Sequence, residues 1–401
     1  MKSEMSEGKN DKRHSMTRRS NAHDYSRPGI YHITMHVAEG LGCPLGMVVG
    51  SDADTAAVAL TAAGTAVEHE LLTSVSAHYP MIAVDSYVVM PEHLHFILVV
   101  SAPIVSKSGR STHLGQVMAG FKQGCNQAYW AATGQGGAPR AAKPHGTVAA
   151  ATANGGFAAR KERYDTGRQP LFAPGYCDVM PVEPGQLDTM RAYIVGNPRS
   201  RWLRSHDRYR LQPQRDGIDT ALTPAALRGY LQRECLPHQA TAEALAQIER
   251  RLVIAGDKIA CHSYGDRALL KRRLLPVVCH RKDWSLFENQ KRRCLEEAEQ
   301  GAVLVSPRIH KGEQQIMDEA VNSGFPVVLI VDNGFPEVYH PSTERIERCA
   351  AGHLLIVSPW TYEYRGKNEA VTVPFCKAMN CVAQAICRTR DDWWKALNIE
   401  H

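Results

Sequence analysis

The chain has 401 residues, 44% of them hydrophobic, with 47 Lys and Arg against 41 Asp and Glu. That length predicts one to three domains with ample apolar content for a core, and the net charge of +6 suits a nucleic-acid partner without demanding one. The eleven cysteines have no regular spacing and so do not suggest a disulfide framework or a zinc knuckle, and no apolar run is long enough to cross a membrane.

Cys376 and Cys381 are too far apart for a CxxC pair, so a reducing, cytoplasmic compartment is the expectation. The N-terminus lacks the apolar region of a secretion signal. Residues 1–28 are polar and carry Lys9, Lys12, Arg13, Arg18, Arg19 and Arg27, which predicts a disordered basic arm. Tyr31 to Val37 alternates as a strand does. The Gly/Pro/Ala tract from Leu41 to Gly64 reads as a loop, followed by a helix over Ala66 to Ala77.

Tyr87 to Val100 is an apolar, β-branched run broken by His93 and His95. A run this short and apolar predicts a strand buried on both faces. Residues two apart in a strand face the same side, so the two imidazoles project together, roughly 7 Å apart at Cα, while Leu94 enters the core. The same alternation would turn Glu92 to the opposite face. Two neutral imidazoles so placed can converge on a divalent cation. Taken alone, an HxH pair reads as two satisfied core histidines.

Ser111 to Trp130 predicts a helix capped by Ser111 or Thr112, with Leu114, Val117, Met118 and Phe121 on one face and Lys122 near its edge. Residues 131–160 are Gly/Ala-rich and aperiodic, as in a flexible insert. Gln186 to Val195 carries Leu187, Met190 and Ile194 at helical spacing after Pro184. Tyr193 and Asn197 lie four apart and share a face, and Gly196 with Pro198 ends the helix. A buried tyrosine and a helix-capping asparagine would give the same pattern. The segment from Arg199 to Arg210 interleaves arginines, among them Arg201 and Arg204, with Trp202 and Tyr209. That pattern suits phosphate pairing and base stacking, or a basic solvated turn.

Thr223 to Leu231 and Thr241 to Leu252 read as helices joining two halves. Beyond them, a strand over Gly301 to Ser306, a helix over Lys311 to Asn322, and strands over Phe325 to Val331 and His353 to Val357 predict a parallel α/β layer, with Val277 to Cys279 as a further strand. There is no GxGxxG and no Walker loop. Ser306-Pro307-Arg308, between a strand end and a helix start, could hold a phosphate, or the layer could serve packing alone. Trp393 and Trp394 are expected to cover an apolar edge.

The ordered set VVMPEHLHFIL and YIVGNP resembles the HUH single-tyrosine transposases, in their REP-associated tyrosine transposase branch. The resemblance extends over about residues 29–204. It includes the strand YHITMH, the helix bearing Lys122, and the segment Leu171 to Asp178. The family usually has Asn where this chain has Glu92. The C-terminal half faintly resembles the SLOG and DNA-processing DprA superfamily.

These resemblances imply an α/β protein. An α+β HUH domain over 29–210, with a central antiparallel sheet flanked by helices, is followed by a helical connector over 211–255 and a Rossmann-like domain over 256–401. The implied function is a metal-dependent single-stranded DNA endonuclease and strand transferase. Tyr193 would be the nucleophile, leaving a 5′-phosphotyrosine and a free 3′-OH, with the bond energy conserved in the covalent link. His93, His95 and Asn197 would hold Mg2+ or Mn2+, which offsets charge on the phosphate. Lys122 would help hold the DNA backbone, and Arg199, Arg201 and Arg204 would add to that surface. The implied partner is hairpin-bearing single-stranded DNA, and the implied setting is the bacterial cytoplasm and nucleoid. A homodimer, and whether Tyr193 acts in its own protomer, stay open. So do an HUH replication initiator or relaxase, a domesticated DNA-binding regulator, and a C-terminal nucleotide sensor.

Overall fold

Alternation in the opening strand sets up the first sheet. In the computed structural model, β1 (Gly29–His36) buries Tyr31, Ile33 and Met35, and turns His32, Thr34 and His36 to the other side. The structure describes residues 23–135, 168–279, 284–364, 371–390 and 392–396. Most of the expected basic arm and of the 131–160 insert therefore lies outside the described residues. The chain divides into two compact units, Met1–Trp202 and Leu203–His401.

In the first unit, β2 (Gly46–Val49) and β3 (Ala57–Leu60) form a small hairpin inside the tract expected to be loop. Its strands are too short for their alternation to stand out from the Gly/Pro/Ala background. Next, α1 (Ala62–His69) begins four residues before the predicted helix, because Thr61 Oγ1 caps it by accepting from the Gly64 amide at 3.1 Å. It continues through a π turn over Glu70–Ser74 into α2 (Val75–His78).

The stretch expected as one strand is a hairpin of β4 (Ile82–Val89) and β5 (His93–Val100). Pro91 has no N–H for a ladder, so the chain turns there, and the Met90 amide closes the turn on the His93 carbonyl at 2.8 Å. The two histidines open a strand rather than interrupt one. With β6 (Cys177–Val179) the sheet order is β4-β5-β1-β6, antiparallel throughout.

One face of this sheet carries Leu94, Phe96, Leu98 and Val100 of β5 against α1 and α3 (Leu114–Ala132). The α3 helix is capped by His113, whose Nδ1 accepts from the Gly115 amide at 3.1 Å, and not by Ser111 or Thr112. Those two are tied back to Val105 and Ile104 in strand-like pairing. On the other face, Ile97 packs against Met190 and Ile194 of α4 (Gln186–Val195). Arg191 fastens α4 to β4 through Asp85, at 2.6 and 2.8 Å. The expected helix end at Gly196 is a break only, since α5 (Asn197–His206) starts at the next residue. Pro198 is tolerated in its first turn, where a missing N–H leaves no bond unmade.

The second unit is an α/β layer structure. Its sheet runs through β7 (Gln214–Asp219), β8 (Ile254–Ala255), β9 (Lys258–Gly265), β10 (Leu274–Pro276), β11 (Val303–Ser306), β12 (Val327–Ile330) and β13 (Leu354–Ser358). The main path is β10-β11-β12-β13-β9-β7, with β10 to β13 parallel and β9 and β7 antiparallel. Strands β11, β12 and β13 are buried at every residue, as continuous apolar runs in parallel sheets must be.

Helices α6 (Pro224–Glu234) and α7 (Ala242–Arg251), with α11 (Val373–Cys387), cover the face bearing Val305, Val328 and Val357. On the opposite face, α8 (Trp284–Glu299), α9 (Lys311–Asn322) and α10 (Thr343–Ala350) cover Leu304, Leu329 and Ile356. The segment expected as a connector is thus part of this domain, giving it two strands and two core helices. Trp394 is fully buried, and Trp393 Nε1 donates to the Pro276 carbonyl at 2.8 Å beside β10. Among the described residues no helix is long and apolar enough to cross a membrane.

Gly64 shows how tightly the first unit is joined. A Cβ there would lie 1.9 Å from the Leu45 carbonyl oxygen, a backbone atom that cannot step aside. Gly64→Ala should therefore cost about 2–3 kcal/mol through overpacking, read as a lower Tm in thermal unfolding.

Candidate active site

Strand pairing gathers the site. In the β1–β5 register, Thr34 lies opposite His95 and His36 opposite His93, while His32 faces Ile97. Alternation then sends His32, Thr34, His36, His93 and His95 to one face. The rings form a chain, with centres 5.3 Å apart for His32 and His95, 4.8 Å for His95 and His93, and 5.7 Å for His93 and His36.

Tyr193 reaches this face from α4. Its ring stands edge-on to His95 at 5.2 Å and to His32 at 6.0 Å. The contact of Met190 and Ile194 with Ile97 holds the helix there. The tyrosine remains 39% exposed, so its hydroxyl can meet a molecule from solvent.

His95 is buried, and its Nδ1 lies 2.9 Å from Thr34 Oγ1. That contact leaves Nε2 as the nitrogen open to other partners. Burial, reinforced by the neighbouring His93, His32 and His36 rings, lowers its pKa to about 2, so the ring is neutral at physiological pH. Burial also lowers the pKa of His32, whose Nε2 has no hydrogen-bond partner.

Glu92 sits in the turn, outside the strand, and alternation therefore does not govern it. Its carboxylate lies 3.7 Å from His93 Nδ1, on the histidine side rather than the opposite one. Arg201 Nη1 contacts the same oxygen at 3.0 Å. The His93 ring, with the Arg201 guanidinium, holds the Glu92 carboxyl below its usual range. Cys43, exposed, places its sulfur 3.9 Å from the other Glu92 oxygen.

Of the expected metal ligands, His93 and His95 stand together. Asn197 begins α5, and its amide nitrogen donates to the Tyr193 carbonyl at 3.0 Å. Among the described residues, no three His, Cys, Asp or Glu side chains already surround a point as they would a bound metal. The donor chemistry nonetheless fits a divalent cation, because His95 is kept neutral and its other nitrogen is fixed by Thr34. The expected nucleic-acid cations all have partners within the chain. Lys122 Nζ donates to the Ala173 carbonyl at 2.6 Å and also to that of Gly175. Arg199 pairs with Asp54, Arg201 with Glu92, and Arg204 with His340 at 3.3 Å.

His32, Thr34 and His36 were not singled out from the sequence as site residues. Their signal was the alternation of YHITMH, which places all three on one side, but only pairing with β5 shows which side matters.

In the second unit, the turn after β11 is already filled. Glu313, almost wholly buried, accepts from the Ile309 amide at 2.8 Å and the Cys279 amide at 3.4 Å. Ser306 Oγ accepts from the Arg308 amide at 3.1 Å. The Glu313 carboxylate thus occupies the Cys279, Ile309 and His310 amides, while the Arg308 guanidinium pairs with Asp318.

No protein-family model and no curated protein matches this chain. Two solved structures resemble it weakly. A REP-associated tyrosine transposase bound to a REP hairpin is 12% identical, with 46% of this chain and 79% of that one covered at a TM-score of 0.26. DNA processing protein A from Helicobacter pylori, described for its single-stranded DNA binding mode, is 17% identical, with 33% and 59% covered at a TM-score of 0.24. Overlaps this slight establish no family membership.

The lowered His95 pKa makes folding pH-dependent. The unfolded chain binds a proton at this ring below pH 6.5 and the folded chain does not until about pH 2. This contribution is complete above pH 6.5 and is lost as pH falls, with a slope approaching about 1.4 kcal/mol per pH unit for the one group. Thermal unfolding from pH 7 to 4 should show a shallower loss of Tm in His95→Asn than in the parent.

Proposed function

We propose that the first unit is a divalent-cation-dependent single-stranded DNA endonuclease and strand transferase acting through Tyr193. The observation that carries this reading is the approach of the Tyr193 ring to 5.2 Å from His95, across a sheet face that also bears His93. The order of the two motifs in the sequence supports it independently.

His93, His95 and Asn197 would hold the cation, Mg2+ or Mn2+. When bound, it supplies charge compensation for the nonbridging phosphate oxygens and the leaving 3′ oxygen. The chain's own groups do the rest. Burial keeps His95 neutral, so its lone pair is available at neutral pH. Thr34 fixes which nitrogen that is. The contact of Ile97 with Met190 and Ile194 holds Tyr193 at the edge of the face, where the residue stays exposed.

The Tyr193 oxygen attacks phosphorus, and its proton is given up to solvent. The bond from phosphorus to the 3′ oxygen breaks, and that oxygen takes a proton to become a free 3′-OH. The tyrosine keeps the 5′ phosphate, so a later attack by a 3′-OH rejoins DNA without an external energy source. The substrate is hairpin-bearing single-stranded DNA, and a cytoplasmic, nucleoid-associated setting follows from that substrate.

The test is incubation of the full chain with hairpin-bearing single strands and Mg2+ or Mn2+, read on a denaturing gel. The expected product is a protein-linked 5′ end that disappears on chelation. Tyr193→Phe should abolish the adduct and leave DNA retention in a gel-shift assay unchanged. An adduct that persists in the Phe variant would remove Tyr193 from the mechanism.

A further inference from the structure

The α5 helix begins at Asn197, directly after the tyrosine helix, and carries Arg199 and Trp202 three residues apart on one side. Both side chains meet the tip of the β2–β3 hairpin. Arg199 Nη1 pairs with the Asp54 carboxylate, and Trp202 Nε1 donates to the Gly50 carbonyl at 3.2 Å. Arg201, on the same helix, is likewise covered by a carboxylate, that of Glu92 at 3.0 Å.

The two acids of the hairpin tip are used differently. Asp52 Oδ1 accepts from the Thr55 amide and from the Thr55 hydroxyl, each at 2.8 Å. The Ser51 amide closes the same turn on Thr55 Oγ1 at 3.1 Å. These bonds shape the tip without the Asp54 carboxylate. That side chain stays 87% exposed even while paired, so an incoming anion can reach and replace it. A carboxylate offers an arginine the same charge and the same oxygen acceptors as a phosphate does.

We propose that the β2–β3 hairpin is an autoinhibitory latch, in which Asp54 stands in for a DNA phosphate on Arg199 until a bound strand displaces it. This rests on the nuclease reading for the identity of the strand. Arg199 lies within one helical turn of Asn197, beside the place where that reading puts the cut phosphate. One isolated phosphate gains little by exchanging with Asp54, because one charge-assisted pair replaces another. A strand that brings many phosphates at once shifts the exchange toward release. Release also withdraws Gly50 from Trp202 and leaves the indole free to stack on a base.

The test is fluorescence anisotropy of a labelled hairpin-bearing single strand, titrated with the full chain and Mg2+ at low ionic strength. Every chain carries Tyr193→Phe, so binding is read without cutting. Asp54→Asn keeps the side chain's shape and removes its charge, and should tighten binding about two- to fivefold. In an Arg199→Ala background the same substitution should change nothing, because the two residues act as a pair. Arg199→Gln replaces that background should the Ala chain not fold. Equal affinity of the Asp54→Asn chain and its parent overturns the latch. So does an undiminished gain without Arg199, which would make the effect one of net charge alone. The predicted gain in a protein whose Tyr193 form makes no adduct sinks the nuclease reading and leaves the latch standing. Adduct formation without the gain does the reverse, and no binding by any of the chains sinks both.

Discussion

The pairing of β1 with β5 is the constraint on which the first unit depends. Side chains in a strand alternate with a period of two, so a slip of one residue would move every inward group outward. In the observed register Tyr31, Ile33 and Met35 join Leu94, Phe96 and Leu98 in one core, and a one-residue slip would turn one of the two sets away from it. The same register leaves His32, Thr34 and His36 beside His93 and His95. The apolar face thus fixes the polar one. The histidines need no attraction for one another to be brought together, and the cost of crowding imidazoles is met by the hydrophobic contacts behind them.

The second unit reaches its stability differently. Its parallel strands are buried on both faces, and their polar needs are met locally. Glu313 serves several amides around the β11 end, and with His310 it forms a capping box on α9. A carboxylate in that position competes with any incoming phosphate for the same donors. The amides at this turn are therefore already engaged by the chain's own side chain.

Much of this was readable in the chain. The strand with two histidines, the helix carrying Tyr193 and the parallel layer all follow from periodicity, because burial of one face is what periodicity records. What was not readable depends on contacts distant in sequence. Glu92 could be placed only by knowing that Pro91 ends the ladder. The role of His113 as a cap depends on Ser111 and Thr112 being drawn into pairing with Val105 and Ile104. Residues 211–255 looked like a linker because β7 is polar and short, yet it finds a partner in β9. His32 was hidden for the same reason: its significance lies in a neighbour more than sixty positions away.

Cys43 has a practical consequence. Of the cysteines, seven are buried and three partly so, and the thiols of Cys261, Cys294 and Cys381 are pushed well above their usual range by burial. Cys43 alone is exposed among the described residues, and it touches the carboxylate that flanks His93. A thiol-directed fluorophore or spin label would therefore react first at Cys43, beside the carboxylate that flanks His93. The unmutated protein thus carries its own attachment point for a spectroscopic reporter of whatever enters that face.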